Sequence, residues 1–176
     1  MNKTTFFTAV ILSFGLLSAQ AADKVLFEDS SFSKEGWSEF AEIPGTGGWE
    51  VKRRNLGELA QAVVQEVTIE GAGGIFLSAG EGSYASVFRS EDVIYAMRSR
   101  NGEQSLVGQA DVTGKVGLRL GFDGAFLIYE YRSGDEWSRL GKSDIIGVVS
   151  YTGGISTPNR ANGMSAYRVA EIEALE

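Results

Sequence analysis

The 176-residue chain has no cysteine, no histidine and only two prolines. Without cysteine, the protein forms no disulfide bonds and has no thiol for catalysis, metal binding or lipid attachment. Without histidine, it has neither a nucleophile activated by a histidine base nor a histidine-ligated metal. The folded domain is therefore held together by its core alone, and any chemistry comes from other side chains.

Basic residues are also in short supply, with 16 lysines and arginines against 23 aspartates and glutamates and a net charge of −7. Nucleic acids and anionic lipid surfaces are bound by clusters of lysine and arginine. We therefore expect neither a nucleic acid nor a membrane surface among the partners of the folded domain.

The first 21 residues have the pattern of a cleaved signal peptide. A lysine near the start precedes a mostly apolar run over residues 6–17, and Ala19 and Ala21 occupy the small positions before a cleavage site. The run is shorter than the roughly 20 residues that a membrane span needs, so an anchor is the weaker alternative. We expect residues 1–21 to be removed, with no membrane insertion afterwards. Residues 22–176 then form one domain, secreted or periplasmic.

Glycine is plentiful, at 23 residues, and separates short runs in which apolar and polar residues alternate. This pattern is typical of an all-β protein with many turns. We predict a single two-sheet antiparallel β-sandwich. Residues 56–67 are the exception, because apolar residues fall at helical spacing there. The spacing favours one short helix, and the alternative is two short strands broken near Gln61.

Two predicted hairpins between residues 115 and 140 organise the chain. Asp123-Gly124 is a dipeptide that favours a tight turn, and alternating apolar runs flank it. With this turn Phe122 is expected opposite Ala125, and one face of the hairpin is then almost wholly apolar. The other face carries Gly117, Arg119, Gly121, Phe126, Ile128 and Glu130.

This order of elements resembles the concanavalin A-like lectin and glucanase superfamily, most closely its laminin-G-like jelly rolls and the bacterial domains of unknown function near them. The resemblance is carried by Phe27-Glu28-Asp29, Val116-Gly117-Leu118-Arg119-Leu120, Asp123-Gly124, Phe126-Leu127-Ile128-Tyr129, Asp135-Glu136-Trp137, Ile146-Gly147-Val148 and Tyr167-Arg168-Val169. It implies a jelly roll whose first and last strands lie side by side. Such folds serve lectins, hydrolases, lyases and adhesion modules alike.

Catalysis has no linear signature in this chain. Glycan-cleaving members of the superfamily carry a Glu-x-Asp-x-x-Glu or Glu-x-Asp-x-Glu strand, and neither pattern occurs here. Glu171 and Glu173 share one strand face, but a solvated terminal strand explains them better than a pair of catalytic carboxylates. We therefore assign no catalytic residue; the sequence favours a protein without enzymatic activity and leaves the question open.

Candidate glycan contacts cluster around the central hairpins and the long loop that follows them. Guanidinium and carboxylate groups hydrogen-bond sugar hydroxyls, and an indole ring provides a platform for a sugar ring. The candidate ligand-binding residues are Arg98, Arg119, Glu130, Trp137, Tyr151, Asn159 and Arg160. Arg98 and Tyr151 join the others only if their strands are neighbours. The alternative is that Arg119 and Glu130 form an ordinary cross-strand ion pair and that Trp137 is a core residue.

A calcium ion is the cofactor that the resemblance suggests, with Asp29 as candidate ligand. The favoured alternative is that the Asp29 carboxylate caps the turn that follows it. The sequence thus favours an exported carbohydrate-binding or adhesion module whose partner is a glycan or cell-surface polysaccharide. Two other functions stay open: a glycoside hydrolase or polysaccharide lyase with carboxylates from separate strands, and a structural envelope protein that binds another protein.

Overall fold

A computed structural model of the chain describes residues 24–43, 46–57, 63–80, 82–123, 126–144, 151–158 and 163–171. These residues form thirteen β-strands and no helix. In chain order the strands are β1 (Lys24–Asp29), β2 (Ala41–Glu42), β3 (Glu50–Gly57), β4 (Val63–Ile69), β5 (Gly73–Gly80), β6 (Ser83–Ser90), β7 (Val93–Arg100), β8 (Glu103–Asp111), β9 (Val116–Asp123), β10 (Phe126–Arg132), β11 (Ser138–Asp144), β12 (Tyr151–Thr157) and β13 (Ser165–Glu171).

The strands form two antiparallel sheets. The six-stranded sheet has the order β1-β13-β4-β9-β10-β11, and the seven-stranded sheet has the order β2-β3-β12-β5-β6-β7-β8. The predicted two-sheet antiparallel β-sandwich is confirmed, and β1 lies beside β13 as the resemblance implied. None of the described residues belongs to a helix long and apolar enough to cross a membrane.

The hydrophobic core lies between the two sheets. Every second residue of a strand points to the same face, so the apolar members of each alternating run meet those of the opposite sheet. The centre of this core consists of Val67, Ile69, Ile75, Leu77, Val87, Ile94, Leu118, Leu120, Leu127, Tyr129, Ile155 and Tyr167. In a domain without disulfides, this buried apolar surface is the main source of stability.

The favoured helix over residues 56–67 is wrong for the part of that segment that the structure describes. Leu56 belongs to β3, and residues 63–67 belong to β4. Strand β4 lies inside the six-stranded sheet between β13 and β9, so its backbone forms hydrogen bonds with a neighbouring strand on each side. That pairing outweighs a local helical preference, which is a weak force by comparison. The two-strand alternative fits these residues, and residues 58–62 lie outside the described part.

The central hairpin has the predicted faces but not the predicted partners. Phe122 lies opposite Leu127, and Glu130 lies directly opposite Arg119. The register therefore differs by two residues from the predicted pairing of Phe122 with Ala125. Because side chains alternate with a period of two, this difference changes the neighbours of each residue and leaves its face unchanged.

A buried polar contact ties the two sheets together through the core. Gln65, only 1% exposed, lies on the inner face of β4; its Nε2 donates to the carbonyl of Phe76 in the opposite sheet at 2.9 Å. Its Oε1 accepts a hydrogen bond from the Tyr167 hydroxyl at 2.7 Å. Burial raises the pKa of Tyr167 above its usual range, and the charge of Arg54 offsets only part of that. A Cβ on Gly153 would lie 2.3 Å from the Gln65 oxygen, so Gln65 needs a glycine there.

Candidate functional site

The structure brings three of the predicted ligand-binding residues together on the outer face of the six-stranded sheet. Arg119 on β9 is directly opposite Glu130 on β10. The indole of Trp137 covers the Arg119 guanidinium at 4.3 Å and the Arg132 guanidinium at 4.8 Å, measured to ring centroids. A Cβ on Gly117 would approach the Trp137 ring to 3.3 Å, so the predicted open space above this glycine is occupied by the indole.

Arg119 and Glu130 are the centre of a longer row of alternating charges, which we call the charge ladder. One residue from each of the six strands occupies a directly opposed position in the register. From β1 to β11 the charge ladder consists of Glu28, Arg168, Glu66, Arg119, Glu130 and Arg139. The sign of the charge changes at every step, so each interior residue lies between two residues of opposite charge.

Close contacts fill the middle of the charge ladder. Arg119 Nε donates to Glu66 Oε1 at 2.7 Å, and Arg168 Nε donates to the other Glu66 oxygen. Glu130 accepts a hydrogen bond from Arg139 Nη2 at 3.0 Å and lies 3.7 Å from Arg119 Nη1. The side chains of Arg119 and Glu130 are each only 11% exposed. These contacts match the ion-pair alternative for Arg119 and Glu130, extended across the sheet.

Two other predicted residues lie in the seven-stranded sheet, apart from this patch. Arg98 is in β7 and Tyr151 begins β12, so neither strand neighbours the central hairpin of Arg119. Arg98 is opposite the core residue Ala85, and its side chain therefore points into the sandwich. Burial of Tyr129 between the sheets raises the pKa of its hydroxyl. A hydrogen bond with the Ser143 hydroxyl and the positive charge of Arg98 offset part of this increase.

The predicted rim of the site is the loop that follows β12. Asn159 and Arg160 lie outside the described residues, and so does the side chain of Tyr151. The assignment of these three residues to a binding site stays a prediction.

Asp29, the predicted calcium ligand, is 2% exposed at the end of β1. Its Oδ1 accepts from the Ser31 backbone and hydroxyl, both at 3.0 Å, and its Oδ2 accepts from the Lys34 backbone at 2.7 Å and the Trp37 indole at 3.1 Å. Burial alone raises the pKa of Asp29, but these four hydrogen bonds outweigh it and lower the pKa to about 2. Both carboxylate oxygens of Asp29 thus accept hydrogen bonds from the turn that follows β1. This arrangement matches the turn-capping role that was the alternative to calcium binding. No group of three or more potential metal ligands occurs among the described residues.

An open groove with a volume of about 570 Å³ lies on the outer face of the other, seven-stranded sheet. Its lining comes from the loop after β2 and from β3, β12, β5, β6, β7 and β8. The described lining residues are Ile43, Thr46, Trp49, Val51, Arg53, Phe76, Ser78, Tyr84, Ser86, Phe88, Met97, Gln104 and Ser156.

The strand register explains why these residues meet. Side chains on the outer face fall in three rows that cross β3, β12, β5, β6, β7 and β8 in that order, and we call these rows the groove face. The rows are Val51, Ser156, Gly74, Phe88, Tyr95 and Gln109; Arg53, Gly154, Phe76, Ser86, Met97 and Leu106; and Asn55, Thr152, Ser78, Tyr84, Ser99 and Gln104. The face is lowest where the small residues Gly74, Gly154 and Ser86 lie beside the large side chains of Phe76 and Phe88.

Two glycines keep the floor of the groove low. A Cβ on Gly74 would lie 2.3 Å from the Val87 carbonyl oxygen, and a Cβ on Gly154 would lie 2.1 Å from the Lys52 carbonyl oxygen. Gly154 also has a φ of 155°, which disfavours other residues. Neither position accommodates a side chain, so the floor stays open beside the rings that flank it.

Aromatic rings form one wall of the groove. Trp49 meets Phe88 edge to face with centroids 5.6 Å apart, and Phe88 stacks on Tyr95 at 5.5 Å. On the other side, burial raises the pKa of the Tyr84 hydroxyl, and a hydrogen bond with Gln104 offsets part of that effect. Tyr84 is therefore a neutral hydroxyl at physiological pH, next to the serine hydroxyls of the floor.

The groove face carries a single charged side chain, that of Arg53, among its eighteen register positions. It has no aspartate or glutamate, although the chain as a whole has seven more acidic than basic residues. Glycoside hydrolysis generally needs two carboxylates across the scissile bond. The described lining of the groove has no such pair of carboxylates; its polar side chains are hydroxyl and amide groups and the guanidinium of Arg53.

The groove has no linear signature in the sequence, because β12, which is distant in the chain, lies between β3 and the consecutive strands β5 to β8. One local signal was present in β6, where Tyr84 and Phe88 alternate with the core residues Ala85 and Val87. A strand that is apolar on both faces needs a reason for the rings on the side facing away from the core. Only the order of the strands places those rings beside Trp49.

Comparison with known proteins bears on the fold. No protein-family model matches the chain, and no curated protein sequence matches it. Among solved structures, the GH43 BlXynB protein from Bacillus licheniformis is similar with a TM-score of 0.57 and 13% identity over 81% of this chain and 38% of that chain. The Bacteroides ovatus protein described as Xyloglucan PUL GH43B has a TM-score of 0.57 and 12% identity over 84% of this chain and 39% of that chain.

A third similar structure is xylan beta-1,4-xylosidase from Bacillus halodurans C-125, with a TM-score of 0.55 and 11% identity over 82% of this chain and 39% of that chain. This chain thus covers less than two fifths of each of the three proteins. At such low identity the likeness shows a shared β-sandwich fold.

Proposed function

We propose that the chain is an exported, non-catalytic carbohydrate-binding or adhesion module with a concanavalin A-like jelly roll, and that its glycan lies in the groove. The make-up of the groove carries this proposal: rings rise beside a floor of glycine and serine, with no carboxylate among the described lining residues. Sugars present apolar C–H faces and hydroxyl edges, which aromatic rings and small polar side chains complement. The volume of about 570 Å³ lies within the range of roughly 300–1,000 Å³ typical of small-ligand sites.

Two further observations support a glycan as the partner. Two of the similar solved structures are named for xyloglucan and xylan, and their shared fold with this chain favours a related ligand class. The signal-peptide pattern of residues 1–21 favours export, to the periplasm or the medium, where polysaccharides are met.

A glycan-array screen of the exported protein, collected after secretion and run with and without calcium, tests this function. Trp49 and Trp137 provide a matched pair, because both are half-buried tryptophans on the outer faces of opposite sheets. Trp49→Ala should weaken binding by about tenfold or more, since a stacking ring of this kind contributes one to a few kcal/mol. Trp137→Ala should change affinity by less than about twofold, provided both variants melt as folded proteins.

The screen also separates the alternatives. Binding lost in Trp137→Ala and kept in Trp49→Ala would move the site to Arg119, Glu130 and Trp137, where the sequence analysis placed it. Shortening of a bound oligosaccharide over time would indicate an enzyme. Failure to bind any glycan would contradict the proposal and favour a protein partner.

A further inference from the structure

Arg53 is the one charged residue of the groove face, and unlike the arginines of the charge ladder it contacts no carboxylate among the described residues. Arg119, Arg139 and Arg168 each contact a glutamate of the charge ladder, and Arg89 contacts Asp92. Arg53 is exposed on β3, and among the described residues its guanidinium contacts the Phe76 ring at 6.0 Å and no carboxylate. In a chain of net charge −7, a groove cation without an acidic neighbour is available to a ligand.

The surroundings of Arg53 leave room for an anion. Its position in the register is opposite Gly154, which has no side chain, and the next residue in the same row is Phe76. The groove face has no aspartate or glutamate that would repel a negative ligand or compete for the guanidinium. A guanidinium above an aromatic ring is partly desolvated on that side, which strengthens its interaction with an anion.

Resting on the proposed function, we infer that the groove selects acidic glycans, with Arg53 binding the carboxylate of a uronic acid unit. A guanidinium donates two parallel hydrogen bonds to a carboxylate, and these charge-assisted bonds are stronger than those to a neutral hydroxyl. The rings of Trp49 and Phe88 would contact the sugar rings of the same chain. The net charge of −7 disfavours the binding of such a polyanion to the protein surface in general, so the contact with Arg53 would favour the groove.

Matched ligands test this inference. Oligosaccharides of galacturonic acid and glucuronic acid-substituted xylo-oligosaccharides are each compared with their carboxyl-reduced forms, in which the carboxylate is replaced by a hydroxymethyl group. For the purified protein we expect the acidic form to bind about tenfold tighter, as one charge-assisted contact of about 1.4 kcal/mol predicts. Arg53→Gln should remove this preference, so that the acidic and the reduced form bind this variant with equal affinity. Arg53→Lys should retain part of it, because lysine keeps the charge without the planar donor pair.

Arg100→Gln is the control, since Arg100 is an exposed arginine at the end of β7 outside the groove lining. It removes the same charge from the protein and should keep the preference for the acidic form. Equal or tighter binding of the reduced form to the unaltered protein would overturn the inference and leave the proposed function standing. A preference for the acidic form that persists in Arg53→Gln would overturn the role of Arg53. Binding of neither form of any ligand would overturn the proposed function together with this inference.

Discussion

The outer faces of the two sheets differ in how their charged side chains are partnered. On the six-stranded sheet, six charged residues alternate in sign and interior members such as Glu66 and Arg119 contact charged residues on both sides. On the seven-stranded sheet, Arg53 is the one charged residue of the groove face, and it lies among rings, glycines and serines. The face with more charged residues is therefore the one on which those residues contact each other. Charged residues that pair across neighbouring strands stabilise the sheet. A charged residue with no carboxylate neighbour among the described residues is available to bind a ligand.

The partnering also decides what happens when one charge is removed. An ion pair that is largely buried contributes little net stability. Deleting one member is nevertheless costly, because the remaining charge is then buried with neither an ionic partner nor water around it. The central residues of the charge ladder have this property, because Glu66 serves two arginines at once. Exposed or half-buried residues of the groove face, such as Arg53 and Met97, have no such dependence, so their substitution should have small effects on folding.

The largest expected effect is on Glu66. Glu66→Gln leaves Arg119 and Arg168 without their shared carboxylate and should lower the free energy of unfolding by about 3 kcal/mol, measured by urea denaturation. Glu171→Gln is the control, because its pair with Lys24 is solvent-exposed and should be worth less than about 1 kcal/mol. Equal effects of the two substitutions would mean that the charge ladder does not stabilise the sheet. Glycan affinity of the folded Glu66→Gln variant should be unchanged.

The second effect concerns a carboxylate that is partnered by N–H and O–H donors instead of arginines. The pKa of Asp29 is lowered from 3.8 to about 2. A lowered folded-state pKa stabilises the protein above the unfolded pKa near 4, and this stability is lost as the pH falls towards 2. Asp29→Asn should therefore cost about 2 kcal/mol at neutral pH and flatten the stability profile between about pH 4 and 2. An unchanged profile would show that Asp29 does not carry this acid dependence.

The smallest expected effect on folding comes from a substitution that cancels the positive charge of the groove face. Met97 is a half-buried lining residue in the same row of the groove face as Arg53. Met97→Glu should change the free energy of unfolding by less than about 1 kcal/mol and weaken the binding of an acidic glycan by about threefold to tenfold. Met97→Gln is the isosteric neutral control and should bind both the acidic and the carboxyl-reduced glycan normally. Unaltered binding by Met97→Glu would place the ligand elsewhere.

The sequence predicted the faces of the central hairpin and missed its partners, for a physical reason. In the expected register Arg119 would face Ile128 and Glu130 would face Gly117, whereas in the structure Arg119 faces Glu130. The two registers bury the same apolar residues, since a shift by two preserves every face. Hydrophobic alternation cannot distinguish them, but charge pairing across the strands can.

The groove was beyond sequence reasoning because it depends on the order of the strands. Strand β12 lies between β3 and β5, and this non-local pairing brings Gly154 beside both Arg53 and Phe76. The central hairpins, in contrast, are local pairings, so their residues were found and judged as a site by chemistry alone. Their chemistry also fits an ion-pair network, and the contacts of Arg119 and Glu130 follow that alternative.

The hydrogen bond from Gln65 to Phe76 has a consequence for recognising relatives of this protein. The side chain of Gln65 lies against Gly153 and donates a hydrogen bond to the Phe76 carbonyl on β5, a strand of the groove floor. The floor is therefore fixed by a hydrogen bond on its core side. We therefore expect positions 65 and 153 to change together, because a side chain at position 153 would collide with the Gln65 oxygen. In distant relatives, we expect a glutamine and a glycine at these two positions to indicate the same anchored floor.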